Sequence, residues 1–324
     1  MPAACHWPAS VTRSLGGLAD EPCRRPARHA PTLDDWQAQL GTLTIGPGTP
    51  YDFSSLEGVD ELPELRTSDE PRPWSHGMWD GDDWADGRTV AWTLEVEPAP
   101  GTTVDEALAA LRRTMIPTQR TALVQAWFNL PRLGKVVRWA VKVRRHRINL
   151  DTAWVRGEGA TADAQLFAAD PVAYGPGQSA TTGFAEEGGG LQFPLFTDGT
   201  TDVGYLDFGA PGTSGRVDLS NAGTAEFWPV FRIAGPTPAA GFEIVDVPTG
   251  RRIRYAGQVP SGSVLEIDTA TGSVILDGTA DRSGLVTVRE WTAVPAGGST
   301  TVGFVPLGPD GSATCTVIWA DAWW

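Results

Sequence analysis

Four histidines, His6, His29, His76 and His146, could act as metal ligands or general bases, but they fall on unrelated segments and form no metal or triad pattern. Asp80, Asp82, Asp83 and Asp86, followed by Gly87, offer the oxygen ligands of a calcium loop. Trp84 takes one ligand position and no Glu stands at the twelfth, so the stretch reads as a solvated acidic loop. Cys5, Cys23 and Cys315 make no close pair and no metal-ligand spacing. Their odd number rules out a fully paired framework and points to a reducing compartment. The chain has no Walker A, HExxH or GxSxG sequence, and Gly188 to Gly190 is too plain for a phosphate loop. Glycoside hydrolysis needs two carboxylates at a set distance in space, and no pair stands out along the chain. The sequence therefore nominates no catalytic, cofactor-binding or metal-binding residue.

Tryptophan is the outlier in composition, with 14 residues. Indole rings anchor interfaces or stack on sugars, and here the first role is favoured. Trp74, Trp79 and Trp84 punctuate an acidic loop, while Trp228, Trp291, Trp319, Trp323 and Trp324 belong to the C-terminal part. The net charge of -14 argues against sequence-independent binding of nucleic acid, which depends on many cations. The charge is also unevenly spread. Asp34 to Glu106 carries 17 acidic and 3 basic residues, whereas Ala107 to Arg156 carries 11 basic residues and one acid, Asp151. An acidic partner for the basic segment thus exists within the chain or on a neighbouring copy of it.

The basic segment centres on KVVRWAVKVRRHRIN, Lys135 to Asn149. Val137, Trp139, Val141 and Val143 alternate with Arg138, Lys142 and Arg144, as in a strand with one wet face. Fifteen residues would span about 50 Å, so part of the strand should bend or project. Arg88 to Glu97 alternates equally well, and Thr42 to Ile45, Thr121 to Asn129 and Ala160 to Ala169 read as further strands. The only clear helix, about 103–115, opens with a capping box of Thr103 and Glu106, buries Val104, Leu108, Leu111 and Met115, and stops at Pro117. Between Asp52 and Gly87 neither period appears, which predicts a long loop ordered against something through its tryptophans. Beyond the Gly-rich stretch come about seven short apolar runs separated by turn signals, the pattern of a β-sandwich or barrel. The fold class is mostly β with one main helix. The expected division is a poorly ordered extension over 1–30, an N-terminal β domain over 31–178, a connection over 179–220 and a sandwich over 221–324. A start codon placed too early would explain the extension equally well. No apolar run of about 18 residues predicts a transmembrane helix, and the extension lacks the apolar core of a signal peptide.

Several stretches carry a family resemblance. GVDELPELRTSDEPRPWSHG leads into Asp86-Gly87-Arg88-Thr89, followed by the helix, the paired strands ending in RRHRINLD, and LFAADPVAYG. Then come NAGTAEFWPVFRIAGP, TGRRIRYAGQVPSGSVLEIDTATGSVILDG and VIWADAWW. In this order, from about Pro31 to Trp324, they resemble the distal tail proteins of siphophages, especially phages of actinobacteria. The resemblance implies a ring-forming, β-sandwich-like N-terminal domain and a galectin-like C-terminal β-sandwich. It implies a structural virion protein, not an enzyme, at the distal end of the tail, assembled in the host cytoplasm. The implied partners are copies of itself in a hexameric ring, the tail tube protein, the tail-tip hub and a receptor-binding protein, with no cofactor, no specific nucleic acid and no membrane insertion. Arg138, Lys142, Arg144, Arg145 and Arg147, with Trp74, Trp79 and Trp84, are then the candidate inter-subunit residues. The alternative is a carbohydrate-binding module that attaches to a bacterial surface glycan through the C-terminal sandwich, with Trp323 or Trp324 as the platform. A glycoside hydrolase comes third.

Overall fold

The alternation of RTVAWTLEV is that of a half-buried strand, and Arg88–Val96 forms one, with Val90, Trp92, Leu94 and Val96 turned into a core. The computed structural model describes residues 30–117, 123–185, 213–309 and 311–324. His6, His29, Cys5, Cys23, nearly all of the expected extension and Gly188 to Gly190 lie outside these. The N-terminal sheet contains β1 (Ala38–Leu40), β2 (Leu43–Ile45) and β3 (Tyr51–Glu57). A ribbon follows, made of β4 (Leu65–Thr67), β5 (Glu70–Pro71), β6 (Met78–Trp79) and β7 (Asp83–Ala85). Then come β8 (Arg88–Val96), α1 (Val104–Thr114), β9 (Val124–Leu130), β10 (Lys135–Asn149), α2 (Thr152–Arg156), β11 (Ala160–Ala168) and β12 (Ala173–Tyr174).

The sheet order is β2-β1-β9-β10-β11-β8-β3, all antiparallel, and its two ends approach where the Gly46 amide donates to the Tyr51 carbonyl at 2.7 Å. The sheet curls around one core, whose rings run Phe53, Trp92, Phe128, Trp139 with centroids 5.7–6.0 Å apart. Helix α1 carries the capping box read from the sequence, and Leu108 and Leu111 lie fully buried. The Tyr51 hydroxyl donates to the Ala107 carbonyl at 2.8 Å and fastens β3 to this helix.

Two sequence expectations need correction here. Asp52 to Gly87 is not one long loop, because its first residues form β3 against β8 and the rest folds back on itself as the ribbon. The charged face of β10 is not wet along its whole length either. Val137 to Val141 are all buried, Arg138 included, since the 170–174 segment lies against that part of the strand.

The C-terminal sandwich contains β13 (Gln178–Gly183), β14 (Arg216–Asn221), β15 (Val230–Ala234), β16 (Phe242–Asp246), β17 (Arg252–Tyr255), β18 (Val264–Asp268), β19 (Ser273–Leu276) and β20 (Ala280–Asp281). Its remaining strands are β21 (Val286–Arg289), β22 (Gly298–Pro306), β23 (Thr314–Trp319) and β24 (Ala322–Trp323). Two antiparallel sheets, β13-β23-β15-β18-β19-β20 and β14-β22-β16-β17-β21, enclose a second core that includes Phe231, Phe242, Leu265 and Phe304. The strand β13 lies in the Gly-rich stretch, of which residues 186–212 fall outside the described ones.

The two cores meet at β12. Ala173 belongs to the first and Tyr174 to the second, because neighbouring side chains of a strand point opposite ways. The same strand pairs with β24, Ala173 opposite Trp323 and Tyr174 opposite Ala322. Asn221 completes the junction. Its Oδ1 accepts from the Gly223 and Ala322 amides, and its Nδ2 donates to the Ala225 carbonyl at 2.7 Å. A Cβ on Gly223 would come within 1.7 Å of the Ala322 oxygen, so only glycine allows this approach.

The sandwich also buries the carboxyl group of Asp246, which accepts hydroxyl bonds from Thr249, Thr292 and Thr300. Removing the acceptor strands the buried Thr292 and Thr300 hydroxyls and takes a partner from Thr249. Asp246→Ala should therefore cost about 3 kcal/mol in urea unfolding followed by tryptophan fluorescence, and Thr300→Val about 1–2 kcal/mol. Losses under about 0.5 kcal/mol in both would show that the network contributes nothing net.

Candidate functional site

Among the described residues no three His, Cys, Asp or Glu side chains come together as a metal site. None of the helices described is long and apolar enough to cross a membrane. Cys315 is buried on β23, and burial pushes its thiol up to about 12, which leaves it a poor nucleophile. The surface instead concentrates its unusual chemistry in two places, the ribbon and the far half of β10.

The ribbon projects from Pro63 to Gly87. Leu65 to Thr67 pair with Ala85 to Asp83, Glu70 and Pro71 pair with Trp79 and Met78, and the Arg72 amide donates to the Gly77 carbonyl near the tip. Where the pairing breaks, Asp69 accepts from the Gly81 amide at 2.8 Å and the Ser68 hydroxyl donates to the Asp82 carbonyl. Backbone bonds thus hold an arm that buries almost none of its side chains. Trp74 at the tip is 97% exposed, Trp79 59% and Trp84 52%, and Leu65 and Met78 are exposed as well. Arg72 lies 4.7 Å over the Trp79 ring. Among the described residues, the seven carboxylates between Glu64 and Asp86 form no ion pair.

Arg88 anchors this arm. Its guanidinium is buried and donates from Nη1 to the carbonyls of Gly58 and Glu61, at 2.8 and 2.6 Å, and from Nε to that of Pro171 at 2.8 Å. The same group stacks 5.5 Å over Trp139 of β10. Burial lowers its pKa, an effect countered by the nearby Glu61 and Asp60. Gly58 holds φ +78°, and a Cβ there would meet the Thr89 oxygen at 2.0 Å, so the chain can enter the arm this closely only through glycine. Sequence reasoning passed over Arg88 as a site residue. The signal was nevertheless present, since Arg88 shares its parity with Val90, Trp92, Leu94 and Val96 and so must face inward.

The second place is a basic ridge. Val141 and Val143 point into the core, and so do His146 and Ile148, which requires one extra residue between the two pairs. That residue is Arg144, at a bulge where the register with β11 shifts between Val143 and Arg145. The bulge turns Arg145 and Arg147 outward with Lys142 and leaves Arg144, Arg145 and Arg147 exposed. Arg144 rests 4.7 Å over Phe167, and among the described residues Arg145 and Arg147 form no ion pair. Past the strand, the exposed Leu150 and Val155 add apolar surface.

The structure thus gathers three of the five basic candidates, Arg144, Arg145 and Arg147, into one exposed ridge, with Lys142 half-buried beside them. Arg138 is only 1% exposed, donates to Gln125 Oε1 at 2.9 Å and lies between the rings of Trp127 and Tyr174 at 5.8 and 5.7 Å. The three tryptophans share the arm, and among the described residues no bond or ring contact joins arm to ridge. One acidic partner inside the chain is Asp60, 2.9 Å from Lys135 at the other end of β10. Of the two rings considered for sugar stacking, Trp323 packs on the first core as part of β24. Trp324 stays exposed beside a cavity of about 150 Å³, smaller than the roughly 300–1,000 Å³ of usual ligand pockets.

A curled sheet carrying the capped helix α1 is thus joined through a shared junction to a two-sheet β-sandwich. Residues 222–323 match the family described as siphovirus-type tail component, C-terminal domain, of SPP1 Dit type. Across both domains the chain has the fold of a solved phage tail protein. It is similar to the SPP1 Dit protein (gp 19.1), described as a paradigm of the hub adsorption apparatus of phages infecting Gram-positive hosts, at 11% identity. The TM-score is 0.60, with 90% of this chain and 100% of that one covered. A chain of the phage P2 baseplate aligns at 11% identity and a TM-score of 0.43, covering 87% of this chain and 97% of that one. No curated protein matches the sequence.

If Arg88 holds the arm base through its forked donors, Arg88→Lys keeps the charge but loses the geometry. Cleavage between residues 63 and 87 in limited proteolysis should rise several-fold while the sandwich stays intact, and an unchanged cleavage pattern would refute the clamp. A pH effect follows from His146, whose Nε2 is buried without a partner and whose pKa is lowered by burial and then by Arg112. The unfolded chain takes up this proton near pH 6.5 and the folded chain only at lower pH, so this stability is present above pH 6.5 and lost below it. In thermal melts at pH 7.5 and 5.5, His146→Leu should shrink the difference in Tm, and an undiminished difference would assign it elsewhere.

Proposed function

We propose that this protein is a structural component of a long-tailed phage tail and forms a ring at the distal end of the tail tube, joining the tube to the tail-tip hub and the host-adhesion apparatus, with a role in assembly and not in catalysis. The N-terminal domain, from about residue 31 to the junction at β12, closes the ring through copies of itself, most simply six, and the sandwich projects outward. The observation that carries this reading is that one domain presents both an acidic, tryptophan-rich arm and a basic, partly apolar ridge. A cyclic assembly uses head-to-tail contacts, so one patch of each copy must complement a different patch of the next. Arg144, Arg145, Arg147, Trp74, Trp79 and Trp84 belong to that contact, and Lys142 borders it. Arg138 supports it from within the chain by holding Tyr174 against β10. The tube protein, the hub and a receptor-binding protein are the remaining partners, and the assembled virion tail is the site of action.

Light scattering with negative-stain imaging tests the ring, on the protein alone and co-expressed with the tube protein. Closed rings of one size, most simply six-fold, are expected in at least one of the two. A monomer in both, up to roughly 100 μM, would overturn the reading, since stable interfaces hold far below that concentration.

A further inference from the structure

Independently of the ring reading, we infer that the cleft between β12 and the sandwich, bordered by Trp228 and Trp324, is a shallow subsite for one neutral sugar ring. Its volume is about 150 Å³, and it lies where the two domains join, a common place for ligand sites. Tyr174 and Phe227, buried and edge to face at 5.8 Å, make its floor. The rim carries two indoles and the carboxylates of Glu226 and Asp170, and among the described residues no Lys or Arg lines it. A cleft of this size does not enclose a drug-sized ligand. A pyranose needs less, because it binds by stacking one C–H face on the negative face of an aromatic ring while its other face stays in water.

The groups that would meet the sugar are held in place by the fold. Trp323, on β24, packs on the first core, and alternation then sends the Trp324 ring outward, where it is 46% exposed. The Trp324 amide donates to the Thr224 hydroxyl at 3.0 Å. Trp228 is half-buried, and its Nε1 donates to Glu226 Oε1 at 3.2 Å, which fixes indole and carboxylate together. Glu226 is exposed and its Oε2 has no partner among the described residues, so it remains an acceptor for a sugar hydroxyl. Asp170 is already engaged by the Tyr174 hydroxyl at 2.8 Å and the Val172 amide at 3.2 Å. The free charge of Glu226 repels an anionic ligand, so the class that fits is a neutral hexopyranoside. One stacked ring supports affinity only in the millimolar range.

Saturation-transfer NMR and tryptophan fluorescence test this on the whole protein, titrated to about 100 mM with the methyl pyranosides of glucose, galactose and mannose. At least one should bind with a Kd of about 1–20 mM. The uronide of the same sugar should bind roughly fivefold more weakly, the effect of one unit charge at about 4 Å in water. Trp324→Ala, at an exposed ring, should raise the Kd at least about tenfold at an unchanged Tm, whereas Trp324→Phe keeps a stacking ring and should lose less. Glu226→Gln should shrink the discrimination against the uronide. No binding of any of the three pyranosides overturns the subsite, and so does wild-type affinity in Trp324→Ala. Equal binding of sugar and uronide by wild type overturns the assigned class of ligand. None of these results bears on the ring reading, which light scattering tests separately.

Discussion

A buried guanidinium must find acceptors, and Arg88 takes all of its observed ones from main-chain carbonyls. Gly58 and Glu61 precede the arm, Pro171 precedes β12, and Trp139 under the guanidinium plane belongs to β10. One side chain therefore sets where the arm leaves the sheet, where the chain turns toward the sandwich and how both lie on the central strand. A lysine could satisfy the charge but not three acceptors and a stacked ring together. The Trp139 indole reinforces the same point, donating to the Pro171 carbonyl at 3.3 Å.

Beyond this clamp the fold is organised by the two halves of β10. The first half pairs with β9 and touches β12, so Arg138 sits inside the chain between Trp127 and Tyr174. The second half pairs with β11, and its outer face meets solvent. The bulge between the halves keeps His146 and Ile148 in the core while three arginines remain outside. The same strand is thus a structural spine at one end and a charged surface at the other. The junction at β12, which pairs with both β10 and the last strand of the chain, links the sandwich to that spine.

Much of the frame was legible from residue patterns. The alternation in β8 and β10, the capping box of α1 and the short apolar runs of the sandwich each encode an element through local periodicity or a local bond. The inward parity of Arg88 could have been read too, as could the bulge, because the apolar positions of β10 step by two to Val143 and then by five, an odd number, to Ile148. The arm could not. Its strands are two or three residues long and exposed on both faces, so its pairing is backbone hydrogen bonding that leaves no hydropathy signal.

What the sequence determined by itself was the class of fold, the capped helix α1 among strands, and the separation of acidic from basic segments, since these depend on neighbours along the chain. Tertiary structure alone decided which charges remain available. Arg138 and Arg145 look equivalent on a basic strand, yet one is enclosed by rings from distant segments and the other stands in water. Burial depends on which segments fold over a residue, and that depends on contacts between positions far apart in the chain.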